Sequence, residues 1–162
     1  MINDEKATQI IEHITYNRLD AAYDQDVFTR ATLRGKLDVN AMEANRSLYS
    51  HVIYDSDNER RFAQELDVSD QVAVYVKLPG SFYISTPVGK YNPDWAIAFN
   101  EGSVKHIYFV AETKGNLDTM ELRGVENAKI ECAKKHFAAI SNGSVVYSVV
   151  DNYSTLMQLV SN

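Results

Sequence analysis

Apolar and polar positions along the chain form patterns that predict a mixed α/β domain. Runs of β-forming apolar residues predict five strands, at 71–77, 82–85, 93–99, 106–113 and 144–150. Helix-start residues and helical spacing predict three helices, from Asp55-Ser56-Asp57-Asn58 to about Leu66, from Asp118 or Thr119 to about Ile140, and at 153–160. The sum is an α-β-β-β-α-β core.

The connections between these elements predict a mixed sheet with helices on both faces. A polar connector that contains glycine joins 93–99 to 106–113, which is typical of a hairpin. The helix between 106–113 and 144–150 predicts a crossover, so the last strand should run parallel to 106–113. Residues 4–30 have helical spacing and 31–54 are ambiguous. The chain is therefore expected to divide into a helical N-terminal extension, 1–54, and a compact domain, 55–162.

Three charged residues at one end of the hairpin form a candidate catalytic cluster. In an antiparallel ladder, opposed residues share a face and successive side chains alternate between faces. We predict that Asp94 faces Glu112 and that Lys114, two residues later, returns to the same face. The same register gives five further pairs, Trp95–Ala111, Ala96–Val110, Ile97–Phe109, Ala98–Tyr108 and Phe99–Ile107.

The cluster has the chemistry of a metal-dependent phosphodiesterase. Mg²⁺ prefers hard oxygen ligands, which the carboxylates of Asp94 and Glu112 can supply together with the backbone carbonyl of Thr113. Lys114 can orient water and stabilise charge that builds on the phosphoryl oxygens. The alternative is a strand end with ordinary solvated charges. Because each charge adjoins an apolar run and all three have the same parity, the catalytic interpretation is favoured.

Composition agrees with a single folded domain and limits its partners. The chain has 162 residues, of which 45% are hydrophobic, and its one cysteine suits a reducing, cytoplasmic compartment. No apolar run is long enough for a membrane span, so no membrane partner is expected. The net charge of −6 is unfavourable for DNA binding, which depends on Lys and Arg at phosphates. We therefore expect the domain not to grip DNA tightly alone.

Longer strings around the cluster resemble a known nuclease family. Pro93-Asp94 with Glu112-Thr113-Lys114 resembles the PD-(D/E)XK nuclease signature. The wider similarity is carried by Val76-Lys77-Leu78-Pro79, by Phe82 through Trp95, and by Leu122-Arg123, Glu126, Lys129-Ile130, Cys132-Ala133 and His136-Phe137. Together these strings resemble the C-terminal endonuclease domain of the Res subunit of type III restriction enzymes, over about residues 55–150.

The resemblance implies a restriction-endonuclease-like fold and cleavage of double-stranded DNA with Mg²⁺. It also implies two partners, a methyltransferase (Mod) subunit and the helicase-like part of the Res subunit, which uses ATP. The chain contains no Gly-x-x-x-x-Gly-Lys-Ser/Thr phosphate loop, so we expect it to be one piece of a larger polypeptide that carries the motor. The alternative is a nuclease fold that only docks or binds DNA.

Two predicted helices add candidate residues. Glu59 shares a helical face with Phe62, Ala63 and Leu66, so its carboxylate should sit at the inner edge of the core. An acid on this helix often assists the metal in proteins that the chain resembles, which makes Glu59 a candidate metal ligand. The alternative is a solvated first-turn Glu that favours the helix dipole.

On the second helix, Lys129 is a candidate catalytic residue that could reach a phosphate, with Glu126 orienting it. The alternative is an i,i+3 ion pair between these two residues. The segment 86–92 leads into Pro93-Asp94, and its Lys90 and Tyr91 could contact the DNA backbone, or the segment could simply aim Asp94.

Overall fold

A computed structural model of the protein describes residues 39–100, 107–111, 120–141 and 145–161. Within these ranges the structure has short N-terminal strands, a central sheet, a small hairpin and three helices. In chain order the elements are β1 (Ala41–Glu43), β2 (His51–Ile53), α1 (Asp57–Val68), β3 (Val72–Lys77), β4 (Ile84–Thr86), β5 (Gly89–Tyr91), β6 (Trp95–Phe99), β7 (Ile107–Ala111), α2 (Met120–Ser141), β8 (Val145–Val149) and α3 (Tyr153–Val160).

The central sheet has the strand order β3-β6-β7-β8. The β3–β6 and β6–β7 pairs are antiparallel, whereas β7 and β8 are parallel, so the sheet is mixed. One face packs against α1 and α3 and the other against α2, because each helix shares a core cluster with residues of that face. This arrangement confirms the predicted α-β-β-β-α-β core, its parallel last strand and its restriction-endonuclease-like fold class.

Helix α1 begins where the sequence indicates and buries its apolar stripe. The Ser56 hydroxyl accepts a hydrogen bond of 3.2 Å from the Glu59 amide, which satisfies one of the free donors at the helix start. Phe62 and Leu66 are buried in the core with Trp95, whose ring lies edge-on to Phe62 at 5.5 Å between centroids. Burial of such large apolar side chains is the main force that holds the helix on the sheet.

The described part of the predicted helical extension, residues 39–54, contains the two short strands β1 and β2 and no helix. The segment after β1 covers the outer edge of β3, where the Leu48 amide donates to the Tyr75 carbonyl at 2.9 Å and the Tyr75 amide donates to the Arg46 carbonyl at 3.0 Å. The Asp67 carboxylate accepts from the Asn45 and Arg46 amides, each at 2.9 Å. A covered edge cannot pair with another chain. The predicted helix at 4–30 lies outside the described residues, and the domain boundary at residue 54 stays a prediction.

The strand predicted at 82–85 is real but lies outside the central sheet. It corresponds to β4, which pairs with β5 in a two-stranded hairpin closed by Pro87 and Val88. The segment 86–92, which leads into Pro93-Asp94, therefore contains a strand, β5. Gly89 follows the turn with φ of +125°, a conformation that residues with a side chain rarely adopt. The hairpin packs against α2 and ends three residues before Asp94.

The predicted β6–β7 register is wrong by one residue. Trp95 pairs with Val110 and Ile97 pairs with Tyr108, where Ala111 and Phe109 were expected. The parallel partner β8 explains the difference, since Tyr108 is also in register with Val146, and Val146 packs on the same core as Ile97. A shift of one residue would move these residues to the opposite face. None of the described helices has the length and apolar character needed to cross a membrane.

Candidate active site

Asp94 immediately precedes β6, a central strand of the sheet, and is half-buried. Its carbonyl accepts a hydrogen bond of 2.7 Å from the Leu78 amide, which extends the β3–β6 ladder to the aspartate. The preceding residues are also fixed. Pro93 is fully buried, and the Asn92 side chain donates to the Gly80 and Phe82 carbonyls at 2.9 and 2.7 Å. The backbone that carries the Asp94 carboxylate is therefore held on both sides.

A buried pair of tyrosines lies beside Asp94 on the face covered by α2. The hydroxyls of Tyr91 and Tyr147 are hydrogen-bonded to each other, and the two side chains are 3% and 6% exposed. Burial is the main reason that the pKa of each phenol is raised. The nearby carboxylates of Asp94 and Glu126 raise both pKa values further, while the bond from Tyr147 works against the rise at Tyr91. The charges of two carboxylates thus act on the same pair of hydroxyls.

Lys129 lies on α2 next to the β4–β5 hairpin. A β-carbon built at Gly89 would be 3.4 Å from Lys129 Cε and 3.9 Å from Lys129 Nζ. The end of the lysine side chain therefore packs directly against the glycine. Within the part of the chain that the structure describes, Lys129 forms no ion pair, and the i,i+3 pair with Glu126 is not made. Its half-buried ammonium is therefore directed at the hairpin that leads into Asp94.

The hairpin separates the two residues that were expected at the DNA backbone. Lys90 is exposed, with its ammonium 4.1 Å from the centre of the Tyr83 ring, and remains free to face a polyanion. Tyr91, next to it, points inward and is bonded to Tyr147, so the prediction that Tyr91 contacts DNA is wrong. Alternation along a strand explains the difference, because neighbouring side chains point to opposite faces.

Glu59 lies on the other face of the sheet. Its carboxylate is 1% exposed, as the helical spacing predicts, and Oε2 accepts from Lys77 Nζ at 2.6 Å and from the Asp55 amide at 2.7 Å. Lys77 also binds the Asp55 carboxylate at 3.0 Å. Burial alone would lower the pKa of Lys77, but the hydrogen bonds and charges of these two acids outweigh it and the pKa is raised. Glu59 Oε1 is buried with no partner among the described residues.

Sequence reasoning missed Lys77 and Tyr147. Lys77 lies at the end of an apolar run and Tyr147 in the middle of one, and a polar group at such a position is usually an ordinary strand residue. For Lys77, the signal was its place at the end of β3 opposite an inward-facing Glu59, because a buried carboxylate requires a cation or another partner. For Tyr147, a hydroxyl inside the run Val145–Val149 needs a partner of its own.

The remaining predicted residues, Glu112, Thr113 and Lys114, lie outside the described residues. In the observed register Ala111, not Glu112, is the position opposite Asp94. The hairpin register therefore no longer supports the prediction that Glu112 and Lys114 share the face of Asp94. Among the described residues, no group of three His, Cys, Asp or Glu side chains is arranged to hold a metal ion. The further ligands that we predict for Asp94, Glu112 and Thr113, lie outside those ranges.

Comparison with known families assigns the chain. Residues 45–153, more than half of the sequence, match the endonuclease domain family. The chain belongs to this family. The matched segment contains Asp94, Glu112–Lys114 and Lys129, so the candidate residues lie inside the family's domain. Comparison with curated proteins found no match, and neither did comparison with solved structures.

Proposed function

We propose that this endonuclease domain hydrolyses phosphodiester bonds in double-stranded DNA with the help of Mg²⁺. We also propose that it works in the cytoplasm as part of a type III restriction-modification enzyme. The observation that supports the activity most is the family match. The matched residues include the half-buried Asp94, which immediately precedes a central strand, and the candidate lysines Lys114 and Lys129. The type III assignment is supported by sequence resemblance. The residues around Tyr91–Trp95 and along α2 resemble the endonuclease domain of the Res subunit of type III restriction enzymes.

The donor set around Asp94 fits Mg²⁺. This ion takes one or two carboxylates and completes its shell with water and substrate oxygens, so Asp94 and Glu112 with the Thr113 carbonyl suffice. When bound, Mg²⁺ supplies Lewis-acid stabilisation of the negative charge that develops on the phosphate. Glu59 lies on the opposite face with Oε2 bound to Lys77, so a role as a further ligand would rest on Oε1, which has no partner among the described residues.

The chain's own cations position the phosphodiester. Lys114 orients the attacking water and stabilises charge on the phosphoryl oxygens. Lys129 lies under the β4–β5 hairpin without an ion-pair partner among the described residues, which suits it to bind a phosphate oxygen beside Asp94. Glu126, one turn earlier on α2, keeps negative charge near the tyrosine pair and does not neutralise Lys129. A cation left unpaired in this way can meet the substrate.

The partners follow from the charge of the domain. A net charge of −6 opposes nonspecific DNA binding, so a second component must supply most of the contacts to DNA. We propose that the helicase-like part of the Res subunit and the methyltransferase subunit deliver the DNA, with ATP consumed by the motor. The domain then needs only local contacts, such as Lys90 and Lys129, at the phosphate that is cut.

The test combines metal binding with cleavage. Calorimetric titration with Mg²⁺ or Mn²⁺ compares the wild-type chain with Asp94→Ala, and the assembly with its motor and methyltransferase partners is assayed for plasmid cleavage with and without chelator. The matched control is Asp70→Ala, which removes an exposed carboxylate that forms a 3.5 Å ion pair with Arg46. We expect Asp94→Ala to lose metal binding and cleavage, and Asp70→Ala to keep both.

Glu112→Ala and Lys114→Ala extend the test to residues outside the described ranges. Each should abolish cleavage in the assembly while circular dichroism shows an intact fold. Full cleavage by all three alanine variants would overturn the proposed activity and leave a nuclease fold used for docking or DNA binding. Cleavage that persists in the presence of chelator would overturn only the metal requirement.

A further inference from the structure

The segment between Tyr91 and Asp94 is anchored at every residue. Tyr91 is bound through its hydroxyl to Tyr147, Asn92 is bound through its side chain to two carbonyls, and Pro93 is fully buried. Proline fixes its own φ and restricts the residue before it, so the path from Asn92 to Asp94 has little freedom. The anchoring of Tyr91 is therefore one of the contacts that fix the position of Asp94.

Tyr147 holds Tyr91 from the far edge of the sheet. It belongs to β8, and its ring stacks on Phe137 of α2 with 5.8 Å between centroids and an angle of 14°. The Tyr91 ring meets it edge-on at 5.9 Å. The hydroxyl bond thus links the β4–β5 hairpin to both α2 and β8, which are elements of the rigid core.

The hydroxyl pair has a chemical reason to face Asp94. Two phenols carry two hydrogens, and the bond between them uses one. A second buried hydroxyl hydrogen without an acceptor is costly, so it requires a negatively charged or carbonyl oxygen, directly or through one water. Asp94 and Glu126 are the two carboxylates whose charges raise the pKa of both phenols.

We propose that Tyr91 and Tyr147 are positioning residues that hold Asp94 in the place and orientation from which it binds the metal. The inference rests on the proposed role of Asp94 as a metal ligand. It assigns to a buried hydroxyl pair a function that packing alone does not require, because phenylalanine would fill the same space. Groups behind a metal ligand fix its orientation, and their loss commonly weakens metal binding by about tenfold to a hundredfold.

The first arm of the test measures the position of Asp94 without metal or DNA. The Leu78 amide donates to the Asp94 carbonyl at 2.7 Å, so its hydrogen–deuterium exchange reports local opening at the aspartate. The Asn100 amide donates to the Gln71 carbonyl at 2.8 Å at the other end of the β3–β6 pair and serves as the internal reference. In Tyr147→Phe and in Tyr91→Phe, we expect exchange at Leu78 to accelerate about tenfold relative to Asn100.

The second arm measures Mn²⁺ affinity of the same variants by calorimetry. We expect a loss of about tenfold in Tyr147→Phe, and no further loss when this change is added to Asp94→Ala. The matched control is Tyr153→Phe, which removes another tyrosine hydroxyl bond, 2.7 Å to Ser69 Oγ, on the opposite face of the sheet. It should change neither the Leu78 to Asn100 ratio nor Mn²⁺ binding.

The outcomes separate this inference from the proposed function. An unchanged Leu78 to Asn100 ratio in both tyrosine variants overturns the positioning role, whatever the metal data show. Wild-type Mn²⁺ affinity in Tyr147→Phe, under conditions where Asp94→Ala binds none, overturns it as well. A wild-type chain that binds no Mn²⁺, with accelerated exchange at Leu78 in the tyrosine variants, contradicts the metal function but supports the anchoring of Asp94.

Discussion

The two faces of the central sheet hold their carboxylates in different ways. On the α1 face, Glu59 is almost fully buried and its Oε2 is bound by Lys77 and by the Asp55 amide. On the α2 face, Asp94 is half-buried and its backbone is fixed, and Lys129, which lies at the hairpin that leads into it, lacks an ion-pair partner among the described residues. Glu59, with its own cation, contributes to structure, whereas Asp94, at the end of a fixed segment, is the carboxylate that we propose for the metal.

The largest expected effect is a difference in DNA cleavage between variants of Asp94 and of Glu59. Asp94→Asn keeps the shape of the side chain but removes its charge, so cleavage by the assembly should fall about a thousandfold with little change in unfolding. Glu59→Gln should lose much less activity per unit of folded protein. Rates are measured under single-turnover conditions together with thermal melts. Equal activity losses in the two variants would show that both faces serve the metal site.

This comparison also shows what the sequence could and could not predict. The inward direction of Glu59 followed from helical spacing, and Asp94 at a strand end followed from a hairpin pattern. Lys77 was missed as the partner of Glu59, because the pair joins residues 18 positions apart through a tertiary contact. The β6–β7 register was mispredicted because β8, on the other side of β7, determines which face each residue occupies.

The second prediction concerns stability on the α1 face. Glu59→Ala leaves Lys77, whose side chain is 18% exposed, with the exposed Asp55 as its remaining carboxylate partner among the described residues. Breaking a buried pair in this way should cost about 3 kcal/mol of unfolding free energy. The double variant Glu59→Leu/Lys77→Met replaces both charges with apolar groups and should recover much of that loss. Urea unfolding of the wild type, Glu59→Leu, Lys77→Met and the double variant gives the coupling, and strict additivity would contradict a structural ion pair.

The third prediction uses alkaline pH to probe both faces. The folded pKa of Lys77 lies above its ordinary 10.5, so its stabilising contribution is complete below that pH and is lost as pH rises through the folded pKa. The folded pKa values of Tyr91 and Tyr147 lie above their ordinary 10.0, so stability is again lost as pH rises from about 10. The wild-type unfolding free energy should therefore fall above pH 10.

Variants measure how much of that alkaline loss comes from Tyr147 and how much from Lys77. Tyr147→Phe should show a shallower fall from pH 10 onward, and Lys77→Met a shallower fall from about pH 10.5, in urea titrations at half-unit steps. Ser154→Ala, an exposed change without a titratable group, should follow the wild type. A wild-type curve that stays flat to pH 11 would contradict the buried, bonded state of both groups.

The smallest expected effect tests whether the unpaired cation of the α2 face meets DNA. Lys129→Gln should weaken binding of the assembly to DNA a few-fold, equally for all sequences, and reduce the slope of log affinity against log salt by about 0.9, the value for one phosphate contact. Lys134→Gln is the control, since Lys134 is on the same helix and binds Glu131 at 2.7 Å. Its neutralisation leaves a solvated glutamate and no lost phosphate contact. If both variants shifted the salt slope equally, the general charge of α2 and not the placement of Lys129 under the hairpin would govern the contact.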